Sequence, residues 1–177
     1  VRAHEVTEAL LAAQRLGITG LAGLQPRYSV IYREADESLL PLARLAGLGV
    51  MVYNPLAGGL LSGRYPEGAE PGAGRFTLGD TGTTYRRRYW NDANLAAARR
   101  AAELALAAGL SPVTTAIAWV LGRPGISSAI VGASDPGQLR ANLDAAKTSL
   151  PTDLVSALDR IWYDLPRVPP SLDSPRL

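Results

Sequence analysis

The stretch GLGVMVYNPLAGGLLSGRY, residues 47–65, decides how this chain is read. Its first seven residues form a continuous apolar run of strand length ending at Tyr53. Such a run, buried on both faces, suits a parallel sheet better than a half-solvated one. A glycine-rich turn follows, and then a basic residue, Arg64. An aromatic ring at the mouth of a strand, ahead of a turn with little side-chain bulk, leaves room for a flat phosphorylated ligand. An ordinary tight turn has the same composition.

Upstream, residues 2–16 repeat apolar side chains at helical spacing through Val6, Leu10, Ala13 and Leu16, with Gly17 as the stop. Residues 18–25, ITGLAGLQ, read as a short strand ending at Gln25 and broken by Pro26. A second helix is expected in ADESLLPLARLAG, residues 35–47, with Asp36 as its N-cap and Gly47 at its end. Downstream, residues 57–91 are dense in Gly and Pro and read as one long loop, which includes the cluster YRRRYW at 85–90. Two helices are then expected, an Ala-rich one at 92–108 and another at 112–121 with Ser111 as N-cap and Pro112 in its first turn. SSAIVGA, 127–133, reads as a third strand, followed by a helix capped by Asp135 and a last helix at 151–163. The alternation of strands with helical crossovers argues for an α/β fold with about three parallel strands and surrounding helices. A doubly wound sheet or a (β/α)8 barrel would both give this pattern, and three strands are too few for a complete version of either. Position 1 is Val and a helical pattern begins at once, so the chain is expected to start partway through a protein.

Composition narrows the chemistry. Without cysteine there is no disulfide or thiolate metal site, and a single histidine, His4, excludes a His-rich metal site or a two-histidine mechanism, so no metal site is assigned. The 18 basic and 16 acidic residues nearly cancel, and one short arginine cluster makes no nucleic-acid-binding field. No apolar stretch reaches the roughly 18 residues of a membrane span, so the expected compartment is the cytoplasm. In a parallel α/β arrangement ligands gather at the carboxyl ends of the strands. Gln25, Tyr53 and the IVGAS segment ending at Ser134 fall there. They offer an amide, a ring face and a helix N-terminus suited to phosphate. Each has a plainer reading, as a solvated amide, a core tyrosine and a capping turn.

Three blocks together resemble the aldo-keto reductase family: LQPRYSVIYRE, GLGVMVYNPLAGGLLSGRY and SSAIVGASDPGQLRANLDA, in that order. The segment GRF…YRRRYW is similar to members near the potassium-channel β-subunit and aryl-alcohol reductase branch. The resemblance implies that residues 1–164 are the C-terminal half of a (β/α)8 TIM barrel, with the long cofactor loop at 57–91 and a Pro-rich tail at 165–177. It further implies an NADPH-binding oxidoreductase reducing aldehydes or ketones. Gln25 would hold the nicotinamide carboxamide, and Tyr53 would stack on the ring. Asn54, Pro55, Leu56, Ala57 and Gly58 would wrap the pyrophosphate, with Arg64 and Arg75 near the phosphates. Gly132, Ser134, Gln138 and Asn142 would receive the adenosine end. The turn from Gly132 to Gln138 has no basic residue, unlike many relatives, which leaves NADH open. The family's catalytic Asp, Tyr, Lys and His belong to the first half of the barrel, so this chain is expected to hold no catalytic residue and to be close to inactive alone. A partner half-barrel would complete it. The alternatives are a non-catalytic cofactor-binding module and an inactive truncated remnant.

Overall fold

A computed structural model of the chain describes residues 1–72 and 74–166. The sheet has three parallel strands in the order β1 (Gly23–Leu24), β2 (Gly49–Tyr53), β3 (Ser128–Ile130). Helix α1 (Ala3–Leu16) leads into β1, and its end is set by Gly17, whose φ of 64° lets its N–H return to the carbonyls of Ala13 and Gln14. A short 3-10 turn (Glu34–Asp36) and α2 (Leu39–Leu45) connect β1 to β2. A kinked 3-10 segment (Ala57–Ser62), α3 (Gly79–Tyr89), α4 (Asp92–Ala107) and α5 (Pro112–Leu121) separate β2 from β3. Helices α6 (Pro136–Ala145) and α7 (Thr152–Asp164) follow.

The caps at Ser111 and Asp135 form as expected: their side chains accept the N–H groups of Thr114 and Gln138, each with a proline in the first turn. Four expectations are corrected. The strand at 18–25 pairs only at Gly23 and Leu24. There a Cβ on Gly23 would stand 2.7 Å from the Gly49 carbonyl oxygen, so glycine is what permits the close approach of β1 to β2. Strand β2 is not buried on both faces. Val50 and Val52 are in the core, whereas Gly49 and Met51 are exposed, because no described element covers that face. Asp36 does not cap α2, whose N-cap is Ser38; its carboxylate is taken instead by the Tyr28 hydroxyl and the Arg33 guanidinium. Residues 57–91 are not one loop, since they contain the 3-10 segment and α3, and the arginine cluster lies on α3. That helix forms against its glycine and threonine content because Tyr85 and Tyr89, one turn apart, bury beside Phe76 and Arg27.

The core lies on the covered face of the sheet. Val50 and Val52 pack there with Val30, Leu40, Leu60, Leu61, Trp119 and, from α7, Leu158. Tyr28 stacks on Trp119 at 5.7 Å between ring centroids. Around this pair Asp159 of α7 accepts from the indole of Trp119 (3.0 Å), from Arg33 (3.1 Å) and from Arg123 (2.9 Å). Among the described residues no single helix is long and apolar enough to cross a membrane. The bent pair of α4 and α5, which has the composition for it, turns through 97° and lends its alanines and Trp119 to the core. The Pro-rich tail expected from 165 lies, beyond Pro166, outside the described residues.

Candidate functional site

The site is built at the carboxyl edge of the sheet. Past Leu24 the chain continues alongside β2: the Tyr53 N–H donates to the Pro26 carbonyl (3.0 Å) and the Tyr28 N–H to the Tyr53 carbonyl (3.1 Å). Arg27 therefore pairs with Tyr53, and Tyr53 pairs on its other side with Ile130. Strand alternation then puts Gln25, Arg27, Met51, Tyr53, Ile130 and Gly132 on one face. Gln25 and Gly132 are exposed and Tyr53 is half-buried.

Beyond Tyr53 the backbone turns through left-handed conformations at Asn54 (φ 60°), Ala57 (50°), Gly58 (73°) and Gly59 (100°). Two non-glycine departures of this kind within four residues, at Asn54 and Ala57, are strained, and the surroundings hold them. The Asn54 side-chain oxygen Oδ1 accepts from the Tyr85 hydroxyl (3.0 Å), and its Nδ2 donates to the Tyr89 hydroxyl (3.4 Å). Arg75 donates to the same Tyr85 hydroxyl (3.3 Å). A Cβ on Gly58 would come within 2.6 Å of the Tyr85 ring, so the ring lies directly on the turn. Arg64 reaches back across Gly59, where a Cβ would meet its guanidinium at 2.6 Å, and also lies over the Tyr65 ring. The structure thus brings Asn54, Gly58 and Arg75 around one tyrosine, with Arg64 beside them. Pro55 and Ala57 are buried and Leu56 is half-buried.

On the β3 side, Gln138 turns back so that its side-chain oxygen accepts from the backbone N–H (3.0 Å) and hydroxyl (3.1 Å) of Ser134. Asn142 is buried and donates to the Gly132 carbonyl at 3.1 Å. Each of these side chains already has a partner within the chain.

Arg27 is a residue that sequence reasoning missed. Its guanidinium lies 3.3 Å from the centre of the Tyr32 ring and 5.5 Å from that of Tyr89. Burial opposes its charge, but Tyr89 and Tyr32 outweigh this and hold its pKa above the usual arginine value. Burial likewise pushes the Tyr89 and Tyr32 hydroxyls up, Tyr32 also donating to Glu34. The signal that was available is the period-two relation of Arg27 to Gln25, and the four-residue spacing of Tyr85 and Tyr89.

Chemically, the edge offers a primary amide, an aromatic face and a turn of small residues at positive φ. Arg64 and Arg75 beside that turn supply positive charge, whereas at the start of α6 Pro136 has no N–H and the N–H groups of Ser134 and Gln138 are taken by the side chains of Gln138 and Asp135. This donor set fits an extended ligand with a planar ring and phosphates. Among the described residues no group of three His, Asp or Glu side chains is placed to hold a metal ion. His4 is exposed in the first turn of α1, and Lys147 is exposed after α6.

Comparison with known proteins places these features in context. The model of the Aldo/keto reductase family matches residues 2–163. A probable voltage-gated potassium channel subunit beta of Oryza sativa subsp. japonica is 35% identical over 144 residues, 81% of this chain and 44% of that protein. Its namesake in Arabidopsis thaliana is 34% identical over 160 residues, 90% of this chain and 48% of that protein. Aflatoxin B1 aldehyde reductase member 2 of Homo sapiens is 33% identical over 153 residues, 78% of this chain and 42% of the relative. The chain spans about half the length of the relatives it matches.

Proposed function

The chain belongs to the aldo/keto reductase family, and from that membership we propose that it is the cofactor-holding part of an NADP(H)-dependent oxidoreductase that reduces aldehydes or ketones to alcohols. The observation that carries this reading is the alignment of Gln25, Tyr53 and Gly132 along the carboxyl edge of three parallel strands, beside a turn of small residues that runs through positive φ from Ala57 to Gly59. When bound, the nicotinamide cofactor supplies the hydride. Gln25 pairs with its carboxamide, and Tyr53 offers the ring face that fixes which side of the nicotinamide is presented. Asn54 through Gly58 follow the pyrophosphate, with Arg64 and Arg75 supplying countercharge. Gly132, Ser134, Gln138 and Asn142 shape the adenosine end. NADPH is the cofactor assigned, with NADH open, since the turn after β3 has no basic residue between Gly132 and Gln138.

The acid that protonates the carbonyl oxygen is assigned to strands outside this chain, supplied by a half-barrel that also covers the face bearing Met51. General acid catalysis is worth roughly 10²–10⁴-fold, so the chain alone is assigned little activity. A cytoplasmic location belongs to the same reading. A second reading, a non-catalytic NADP(H)-binding module that contacts a protein partner, is favoured by one feature. Arg87 and Arg88 are exposed on α3, their side chains without a partner among the described residues, and two relatives carry the name of a channel subunit.

The test is NADPH fluorescence titration of the purified chain with Tyr53→Ala alongside. Saturable binding that the variant loses is expected. A folded chain that binds no NADPH, or binds it equally well without the Tyr53 ring, would overturn the proposal.

A further inference from the structure

A concavity away from the carboxyl edge of the sheet shares no residue with the proposed cofactor site. It is a cleft of about 200 Å³ between α2 and the turn after α5. Arg33, Arg44 and Arg123 line it, and the one carboxylate in its wall is Asp36. Leu40, Pro41 and Pro124 complete the rim of this open, predominantly polar cleft.

The arginines divide into two that are fixed and one that is free. Arg33 is 7% exposed and spends its donors on Asp36, at 2.7 Å from both Nε and Nη2, and on Asp159 through Nη1. Arg123 gives Nη1 to both oxygens of Asp159, at 2.9 and 3.2 Å, and lies over the Trp119 ring at 4.6 Å. Its Nη2 donates to no described residue, and its Nε is buried without a partner. Arg44, in the last turn of α2, has a side chain with no hydrogen bond or ion pair among the described residues. Three guanidiniums are therefore set against two carboxylates, Asp36 in the wall and Asp159 behind it. The oxygens of Asp36 are already occupied, Oδ1 by Tyr28 at 2.7 Å and Oδ2 by Arg33. One positive charge is left over in an open cleft, and part of it is held rigid by aromatic and carboxylate contacts. Such preorganisation lowers the ordering cost of gripping an anion.

We infer that this cleft binds a small oxyanion, an inorganic phosphate or the phosphate group of a small ester, between Arg44 and the free Nη2 of Arg123. The inference stands independently of the cofactor assignment.

The experiment is calorimetric titration of the purified chain with inorganic phosphate, using chloride to match ionic strength. Glycerol 3-phosphate in a parallel arm separates a free ion from an ester. Arg44→Gln is the test variant, because Arg44 is exposed and its loss leaves the core intact. Arg64 and Arg75 also attract phosphate, so the double variant Arg64→Gln/Arg75→Gln is the control. The expected result is saturable binding that Arg44→Gln weakens on the order of tenfold, one charge-assisted contact, and that the control retains. Absence of saturable binding overturns the inference, as does binding that survives Arg44→Gln or that disappears in the control.

Discussion

Replacing Asp159 with alanine tests how the helices are tied to the sheet. Its carboxylate, on α7, accepts from Arg33 ahead of α2, from Trp119 within α5 and from Arg123 just after α5. Truncation leaves Arg123 with no carboxylate, strips Arg33 of one of its two, and orphans the buried indole N–H. Removing one partner of a buried ion pair costs about 3–5 kcal/mol, and an orphaned buried donor about 1–3 kcal/mol. The Asp159 side chain is 31% exposed, so water relieves part of both penalties and the two overlap. A net loss of about 2–4 kcal/mol follows. For a chain of this length that lowers Tm by roughly 5–15 °C. Asp159→Asn keeps an acceptor for the indole but removes the charge, and should lose about half as much. Urea denaturation at neutral pH with an unchanged m-value, together with calorimetric melting, reads both variants. A loss below about 0.5 kcal/mol for the alanine variant, within the range of an ordinary surface change, would refute the assignment of Asp159 as the tie between α5, α7 and Arg33.

Three further outcomes are expected. Gly58→Ala places a Cβ 2.6 Å from the Tyr85 ring at a φ of 73°, and should cost about 2–3 kcal/mol from strain and displacement of the ring; an unchanged melting curve would show that the turn relaxes freely. Asn142→Ala leaves the Gly132 carbonyl without its donor and should cost about 1–2 kcal/mol by urea denaturation, whereas a neutral result would mean that solvent replaces the amide. Burial raises the hydroxyl pKa of Tyr28, Tyr32 and Tyr89, so the folded state holds these protons to higher pH than the unfolded chain. Their contribution to stability is therefore complete below the unfolded tyrosine value of about 10 and lost as pH rises beyond it; ultraviolet titration in which all seven tyrosines ionise together while the fold persists would contradict this.

Local chemistry was legible where a residue answers to its own neighbours. Ser111 and Asp135 followed by proline specify helix starts that the structure reproduces, and Gly17 specifies a stop. It failed where a distant partner competes. Asp36 has the composition of a cap, but its carboxylate takes two contacts from Arg33 and one from Tyr28, where a helix N–H would give one. Helix α3 was hidden for a related reason. Gly79, Gly82 and three threonines are poor helix formers, and the helix exists because its tyrosines bury. A Cβ at Gly82 would come within 2.9 Å of the Phe76 carbonyl, so the glycine that argued against a helix is what lets the helix lie against the preceding turn.

For the site, the position of each group was legible and its partner was not. Parallel pairing alone brings Gln25, Tyr53 and Gly132 to one edge, because the register of β1, β2 and β3 leaves no other place for the residues that follow them. Which side chains remain free depends on contacts that no spacing reveals. Asn142, buried, spends its amide on the Gly132 carbonyl and so fixes the turn after β3. Ser134 and Gln138 bond each other at an exposed rim, where an intramolecular bond is worth only about 1 kcal/mol. Asn54 is held through Tyr85 and Tyr89, and the same tyrosines engage Arg75 and Arg27. The turn after β2 and the face beside Tyr53 are thus coupled through α3. If Tyr85→Phe removes the hydroxyl shared by Asn54 and Arg75, NADPH affinity should fall even though Tyr53 and Gln25 are untouched, and fluorescence titration showing wild-type affinity would separate the turn from the ring-binding face.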